Sequence, residues 1–252
     1  MPGVLRDIAR GGLAGLIVGV LLAGVGGRLA MRFAALSVPG AAGAVTENGN
    51  VIGDVTVAGT LAIVVAIGLL FGAVAGSTWV VIRPWLPASA AWRAIVAVPI
   101  AFGLGAPGLI DAGNPDFLIL GRDPLVIAVL VALVVLFGPA LVLADRWLDS
   151  RLPHPREGRS PAATVYAIVA AIGTLLTVLL VLPLYLGSGL VIAGLALVVV
   201  GVSTLGAWLV RVNGEPAPPA WLGWVARSAL AVATVAGVVV ASGEVAGALG
   251  AG

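Results

Sequence analysis

The stretch that decides the fold is 11-GGLAGLIVGVLLAGVGGRLAMRFAAL-36, an apolar run followed by two arginines, Arg28 and Arg32. A helix crosses the hydrocarbon of a bilayer with roughly 20 apolar residues, and this run reaches that length. The apolar region of a secretory signal peptide is shorter, so we expect a retained first helix and not a cleaved leader. The first structural unit predicted from the sequence is therefore a membrane-spanning α-helix.

The composition of the whole chain extends this prediction. Of the 252 residues 61% are hydrophobic and 10% are charged, whereas about a quarter of a soluble domain is charged. The pattern predicts an all-α, polytopic transmembrane helical bundle, a single integral membrane domain over residues 1–252 with no separate soluble domain. We expect about seven spans, at residues 11–36, 58–82, 91–110, 124–144, 162–185, 188–209 and 221–249.

The positions of the basic residues predict the orientation. All 13 are arginine, and with the N-terminus in the cytoplasm only Arg28, Arg32 and Arg122 lie outside. Basic residues collect on the cytoplasmic side of membrane proteins, and tryptophans prefer helix ends at the headgroups. All seven tryptophans then fall at cytoplasmic helix ends. We therefore expect an N-in/C-out protein of the bacterial plasma membrane.

A polar island follows the first span, at 44-AVTENGNVIGDVTVAGT-60. Asn48-Gly49 is a strong signal for a two-residue hairpin turn, since both residues tolerate positive φ. The sequence predicts a small extracytoplasmic β-hairpin that covers the outer mouth of the bundle. The alternative is a solvated loop with no further role.

Several of these segments together resemble a known group of proteins. They are RLAMRFAAL at the end of the first helix, TENGNVIGDVTVAGT, the glycine-rich second helix ending in RPWLP, and the later NPDF and DRWLDSRLP. This pattern, over roughly the first 150 residues, is similar to a group of uncharacterised multi-pass membrane proteins of actinobacteria. The resemblance implies a multi-pass membrane fold and carries no activity.

Small residues recur every fourth position in the first two predicted spans. The two stripes are Gly11, Gly15 and Gly19, and Gly68, Gly72 and Gly76. Glycine at this spacing lets helix backbones approach closely. In the predicted topology both stripes lie at the same depth, so we expect the first two helices to pack along them. The alternatives are contacts between protomers of a homo-oligomer, or the general abundance of glycine in this chain.

The charges predicted on the outer side form the candidate site. Arg28 and Arg32 share one helix face, and the acidic residues proposed to lie with them are Asp54, Asp111, Asp116 and Glu244. We expect Arg28 or Arg32 to pair with Glu244 or Asp54 first, in an outward polar site that binds an anion or a lipid headgroup. The alternative is that the arginines reach lipid phosphates and form one structural ion pair.

Two smaller charged segments have competing interpretations. The aspartates of 111-DAGNPDF-117 could bind a cation or share a proton, or could satisfy backbone N–H groups in a turn. The segment 145–161, expected as a charged cytoplasmic loop, could anchor the chain to the membrane surface or dock a cytoplasmic partner.

The residues that are missing exclude several classes of chemistry. There is no cysteine, no lysine and one histidine, His154. Disulfides, thiolate metal sites, histidine clusters and Schiff-base chemistry are therefore excluded. We assign no catalytic residue, no metal site and no cofactor, and the chain carries no motif for binding nucleic acid.

Three functions remain open from the sequence. The first is a non-enzymatic structural or accessory subunit of a membrane complex, with the lipid bilayer and a membrane-protein partner or a second copy of the chain around it. The second is a small transporter or carrier of a lipid or another apolar molecule. The spans have almost no ionisable residue near the midplane, which argues against a transporter in general but not against a carrier of an apolar molecule. The third is a membrane enzyme that acts on a lipid-linked substrate at the outer face.

Overall fold

The structure is a computed structural model that describes residues 2–45, 51–53, 56–120, 122–154, 164–166, 168, 190–213 and 217–250. Within these ranges the chain is all-helical, and its one isolated β-bridge joins Val45 and Val51 in antiparallel orientation. The all-α prediction is confirmed.

The first two helical segments are each interrupted by a π-helical stretch. α1 (Pro2–Val18) continues through π-helical Gly19–Gly26 into α2 (Gly27–Ser37). α3 (Val57–Leu61) continues through π-helical Ala62–Ile67 into α4 (Gly68–Ile82). The remaining described helices are α5 (Ala90–Gly105), α6 (Asp116–Ile119), α7 (Pro124–Arg151), α8 (Val191–Val212) and α9 (Ala220–Ala248).

Five of the described helices are long and apolar enough to cross a membrane. They are Gly3–Ser37, Ala90–Gly108, Pro124–Arg151, Val191–Val212 and Ala220–Ala248. The predicted second span coincides with the continuous helical segment from α3 to α4, and the predicted fifth span, 162–185, lies largely outside the described residues. Five apolar helices of this length indicate a multi-pass membrane protein, while seven spans stay a prediction.

The predicted hairpin is described only at its base. The N–H of Ile52 donates to the carbonyl of Ala44 at 2.8 Å, and the N–H of Gly43 donates to the carbonyl of Ile52 at 2.9 Å. Gly53 has a φ of +85°, which favours glycine and agrees with a turn there. Asn48-Gly49 lies outside the described residues, so the β-hairpin stays a prediction.

Two helices extend further than the predicted spans. α1 starts at Pro2, well before residue 11, and α7 continues to Arg151, beyond residue 144. The expectation of a loop from residue 145 was therefore wrong over residues 145–151. The extra turns of α1 and α7 carry charged side chains, and these side chains pair with one another across the two helices.

Most helix contacts are between long segments that follow one another in the sequence and run antiparallel. α1 lies against α4, α5 against α7, and α8 against α9, while α7 also contacts α1 and α9 also contacts α5. The main core contains Trp79, Ile82 and Trp85 from the end of α4 and the turn after it. Prolines Pro99 and Pro139 lie inside α5 and α7, and both helices continue past them.

Candidate functional site

One end of the bundle holds a network of opposite charges, which we call the Arg/Asp cluster. Its six members come from α1, from the residue that follows α4, and from α7: Arg6, Asp7, Arg10, Arg83, Asp145 and Asp149. Three arginines face three aspartates, so the cluster has no net formal charge. It joins three helical segments at the end of the bundle where the chain begins.

Asp145 is the buried centre of the Arg/Asp cluster. Its residue is 2% exposed. One of its carboxylate oxygens, Oδ1, accepts from Nε of Arg10 at 3.0 Å and from Nη1 of Arg83 at 2.7 Å. A carboxylate out of water is costly unless it is paired and hydrogen-bonded, and here two guanidinium groups supply both. Asp145 thus joins α7 to both α1 and the end of α4.

Asp149 forms the second half of the cluster one helical turn later. It accepts from Nη1 of Arg6 at 2.8 Å and also pairs with Arg10. Nη2 of Arg6 donates to the backbone carbonyls of Asp149 and Leu152, at 2.7 and 3.1 Å. Arg6 therefore binds both a side chain and the last turn of α7, where carbonyls lack partners within the helix.

Sequence reasoning missed this cluster, although its signal is present. Arg6 and Arg10 lie four residues apart, as do Asp145 and Asp149, and residues at this spacing share a helix face. The two pairs have opposite charge and were predicted on the same side of the membrane. Both pairs fall outside the predicted spans, because the spans 11–36 and 124–144 stop next to the first charged residue.

A cavity of about 140 Å³ lies between the first helix, α4, α5 and α7. At the end near the Arg/Asp cluster its walls include Trp79 and Ile82, which are 1% and 3% exposed. At the other end they include Ile67 and Leu109, which are each 38% exposed. The cavity is therefore closed towards the cluster and open towards the opposite end.

The lining of this cavity is almost entirely hydrocarbon. Leu130 and Leu141 both line it, and since they are 11 residues apart on α7 the cavity extends over about 16 Å at the helical rise of 1.5 Å per residue. Thr78 and the indole of Trp79 are the polar side chains in its wall. Apolar cavities of about this size accept small apolar molecules.

The two glycine stripes lie where α1 and its π-helical continuation cross α4. A Cβ on Gly72 would lie 2.8 Å from the carbonyl oxygen of Gly15, and one on Gly76 would lie 2.8 Å from that of Gly12. A Cβ on Gly15 or Gly19 would overlap the backbone of α4 at Gly76 or Gly72. Gly11 faces side chains instead, with Val80 and Trp79 beside it.

Two of the predicted outer-face residues, Arg32 and Glu244, lie at the opposite end of the bundle and bond to backbone. Nη1 of Arg32 donates to the carbonyl of Gly53 at 2.7 Å. A carboxylate oxygen of Glu244 accepts from the N–H of Ala112 at 2.9 Å. No ion pair between described residues joins Glu244 to Arg32.

The remaining members of that predicted site are placed as follows. Arg28 follows Gly27, which lines the open end of the cavity, and Asp54 lies outside the described residues. Asp111 accepts from the N–H of Gly113 at 2.8 Å, which agrees with the interpretation that this aspartate satisfies a backbone N–H in a turn. Asp116 begins α6. Within the described ranges no three acidic or histidine side chains are grouped to hold a metal ion.

The fold and these two features define an all-helical, multi-pass membrane protein with an apolar cavity above a buried ion-pair network. No protein-family model, curated protein or solved structure matches the chain.

Proposed function

We propose that this protein binds a hydrocarbon group in its cavity, either a small apolar molecule or the acyl chain of a lipid. The observation that carries the proposal is a cavity of about 140 Å³ with a hydrocarbon wall, open at one end and closed at the other. Protein interiors are normally close-packed, so a vacant space of this size sacrifices dispersion contacts that an apolar ligand restores. This is the carrier function that the lack of midplane charge left open.

A second candidate is an accessory subunit that packs against another membrane protein or a second copy of this chain. The supporting observation is the exposed apolar surface of the last two helices. In the apolar windows of α8 and α9, 28% and 22% of the residues are buried. Lipid or a partner helix would cover these faces in the membrane.

The finer topology belongs to the same proposal. We propose seven spans in a bacterial plasma membrane, with the N-terminus and the Arg/Asp cluster in the cytoplasm and the β-hairpin outside. Because the chain has no cysteine, single cysteines replacing Asn48 and Arg156 test the orientation with an impermeant thiol reagent on intact cells. Labelling at position 48 alone is expected, and labelling at position 156 from outside would reverse it.

The cavity proposal is tested by filling the cavity. Ala101 on α5 lines it, whereas Ala128 on α7 is exposed and does not. The wild type, Ala101→Leu and Ala128→Leu are purified in mild detergent, and the bound molecules are identified by native mass spectrometry. We expect a bound apolar molecule in the wild type and Ala128→Leu, and its loss in Ala101→Leu.

The same measurement separates the candidates. An intact phospholipid identifies the ligand as a lipid chain, and a smaller neutral molecule identifies a free apolar ligand. Equal amounts of bound molecule in both variants would contradict binding in the cavity. A stoichiometric second protein, with no bound molecule, would favour the accessory subunit.

A further inference from the structure

The closed end of the cavity and the Arg/Asp cluster are in direct succession along two helices. Ile82 lines the cavity, and Arg83 is the next residue. Leu141 lines it, and Asp145 follows one helical turn later. The ion pair between Arg83 and Asp145, at 2.7 Å, thus ties together two of the helices that line this end of the cavity.

A third helix, α1, is held by the same network. Arg10 on α1 pairs with both Asp145 and Asp149, and Arg6 pairs with Asp149. While these pairs are intact, α1, α4 and α7 converge at this end, and the side chains of Trp79 and Ile82 seal the cavity from it.

Helix α7 contains a proline, Pro139, six residues before the first cluster aspartate, Asp145. Pro139 lacks an N–H, so it removes a backbone hydrogen bond from the preceding turn. Its neighbour Gly138 lies directly against the backbone of Ala97 on α5, and α5 has its own proline, Pro99, two residues later. Kinks and hinges in helices concentrate at such residues. The cluster aspartates Asp145 and Asp149 lie beyond this point.

We infer that the Arg/Asp cluster is a latch: when its ion pairs separate, the cavity opens at the cluster end. The protein thereby carries its apolar ligand from one side of the membrane to the other. This inference rests on the proposed function. Tilting the last turns of α7 about Gly138-Pro139 separates Asp145 and Asp149 from the arginines and uncovers the cavity floor. Alternating access to one site is how a carrier moves a ligand without an open pore.

The test follows the accessibility of a cysteine in the cavity wall. Thr78→Cys is introduced into the cysteine-free chain, since Thr78 lines the cavity. An impermeant thiol reagent is applied from each side of the membrane, using intact cells and inside-out vesicles. Exposed Ser150 and Val45, changed to cysteine in separate proteins, mark the cluster end and the opposite end.

With an intact latch, the cysteine at 78 is expected to react only from the side that labels position 45. Asp145→Asn or Asp149→Asn is then added. We expect reaction from the side that labels position 150 to rise at least ten-fold, more for Asp145 than for the half-exposed Asp149. Asp111→Asn, an acid-to-amide change at the opposite end, is the matched control and should leave the pattern unchanged.

A conservative variant protects the test against simple misfolding. Asp145→Glu keeps the carboxylate that Arg10 and Arg83 share, and it should keep the one-sided pattern that Asp145→Asn loses. Unchanged one-sided labelling in folded Asp149→Asn and Asp145→Asn proteins would overturn the latch. If the side from which the cysteine at 78 reacts changes but no apolar molecule is bound, the latch is supported and the proposed ligand class is wrong. If an apolar molecule is bound but the side of reaction does not change, the ligand class is supported and the latch is wrong.

Discussion

Asp145 at one end of the helix bundle and Arg32 and Glu244 at the other end have different kinds of partner. At the cluster end, arginines and aspartates from three helical segments pair with one another, and Asp145 is almost fully buried. At the opposite end, Arg32 and Glu244 bond to the backbone of loops, at Gly53 and Ala112. Side chain pairs between helices fix how the helices converge, whereas bonds to loop backbone fix only how a loop lies on the bundle. The latch proposed above lies at the cluster end.

The largest effect is expected at the centre of the cluster. Asp145→Asn leaves Arg10 and Arg83 without the buried carboxylate they share, and removing one partner of a buried pair costs about 3–5 kcal/mol. Thermal unfolding in mild detergent should show a large fall in Tm. A Tm close to that of the wild type would mean that the two ends do not differ in this way.

The second effect concerns the backbone contact between α1 and α4. In Gly15→Ala the added Cβ overlaps Gly76, so we expect destabilisation of about 1–3 kcal/mol from the forced shift of the helices. Gly12→Ala is the matched control, because a Cβ there meets nothing within 4 Å. It should be neutral or up to about 1 kcal/mol more stable, since alanine favours helix. Equal Tm values for both variants would contradict the close approach.

A smaller effect is expected where α7 begins, at the end opposite the cluster. The side chain of Asp123 accepts from the N–H groups of Leu125 and Val126, at 2.8 and 3.1 Å, and caps the helix. Asp123→Ala should cost about 1 kcal/mol, whereas Asp123→Asn should keep most of the stability because asparagine caps equally well. If the two variants unfold alike, the hydrogen bonds of the cap are not the source of the stability.

The smallest effect is expected at Glu244. In Glu244→Gln the amide oxygen can still accept from Ala112, so the free energy of unfolding should change by no more than about 0.5 kcal/mol. The comparison with Asp145→Asn is direct, since both changes turn an acid into its amide. A loss as large as that of Asp145→Asn would show that the charge of Glu244 matters, as an ion pair with Arg28 or Arg32 requires.

The sequence by itself determined the all-helical fold class, and it predicted one contact between helices. In a bilayer, a spanning segment can satisfy its backbone hydrogen-bonding groups only as a helix or in a closed barrel. The long apolar run 11–36, which lacks the alternating pattern of a strand, indicates helices. The spacing of Gly15, Gly19, Gly72 and Gly76 predicted which backbones could approach closely. These properties are local and periodic, so they can be read along one chain.

Only the tertiary structure decided where the charges act and where space is left. Whether Arg10 meets Asp145 depends on the rotation and depth of two helices that are distant in the sequence. The predicted spans stop next to the first charged residue and so leave out the helical turns that carry Arg10 and Asp145. The cavity likewise depends on how four helices fail to fill the space between them, which no single segment encodes. Pairing and packing across helices are non-local, and for that reason the sequence pointed to Arg28 and Glu244 while the structure points to Asp145.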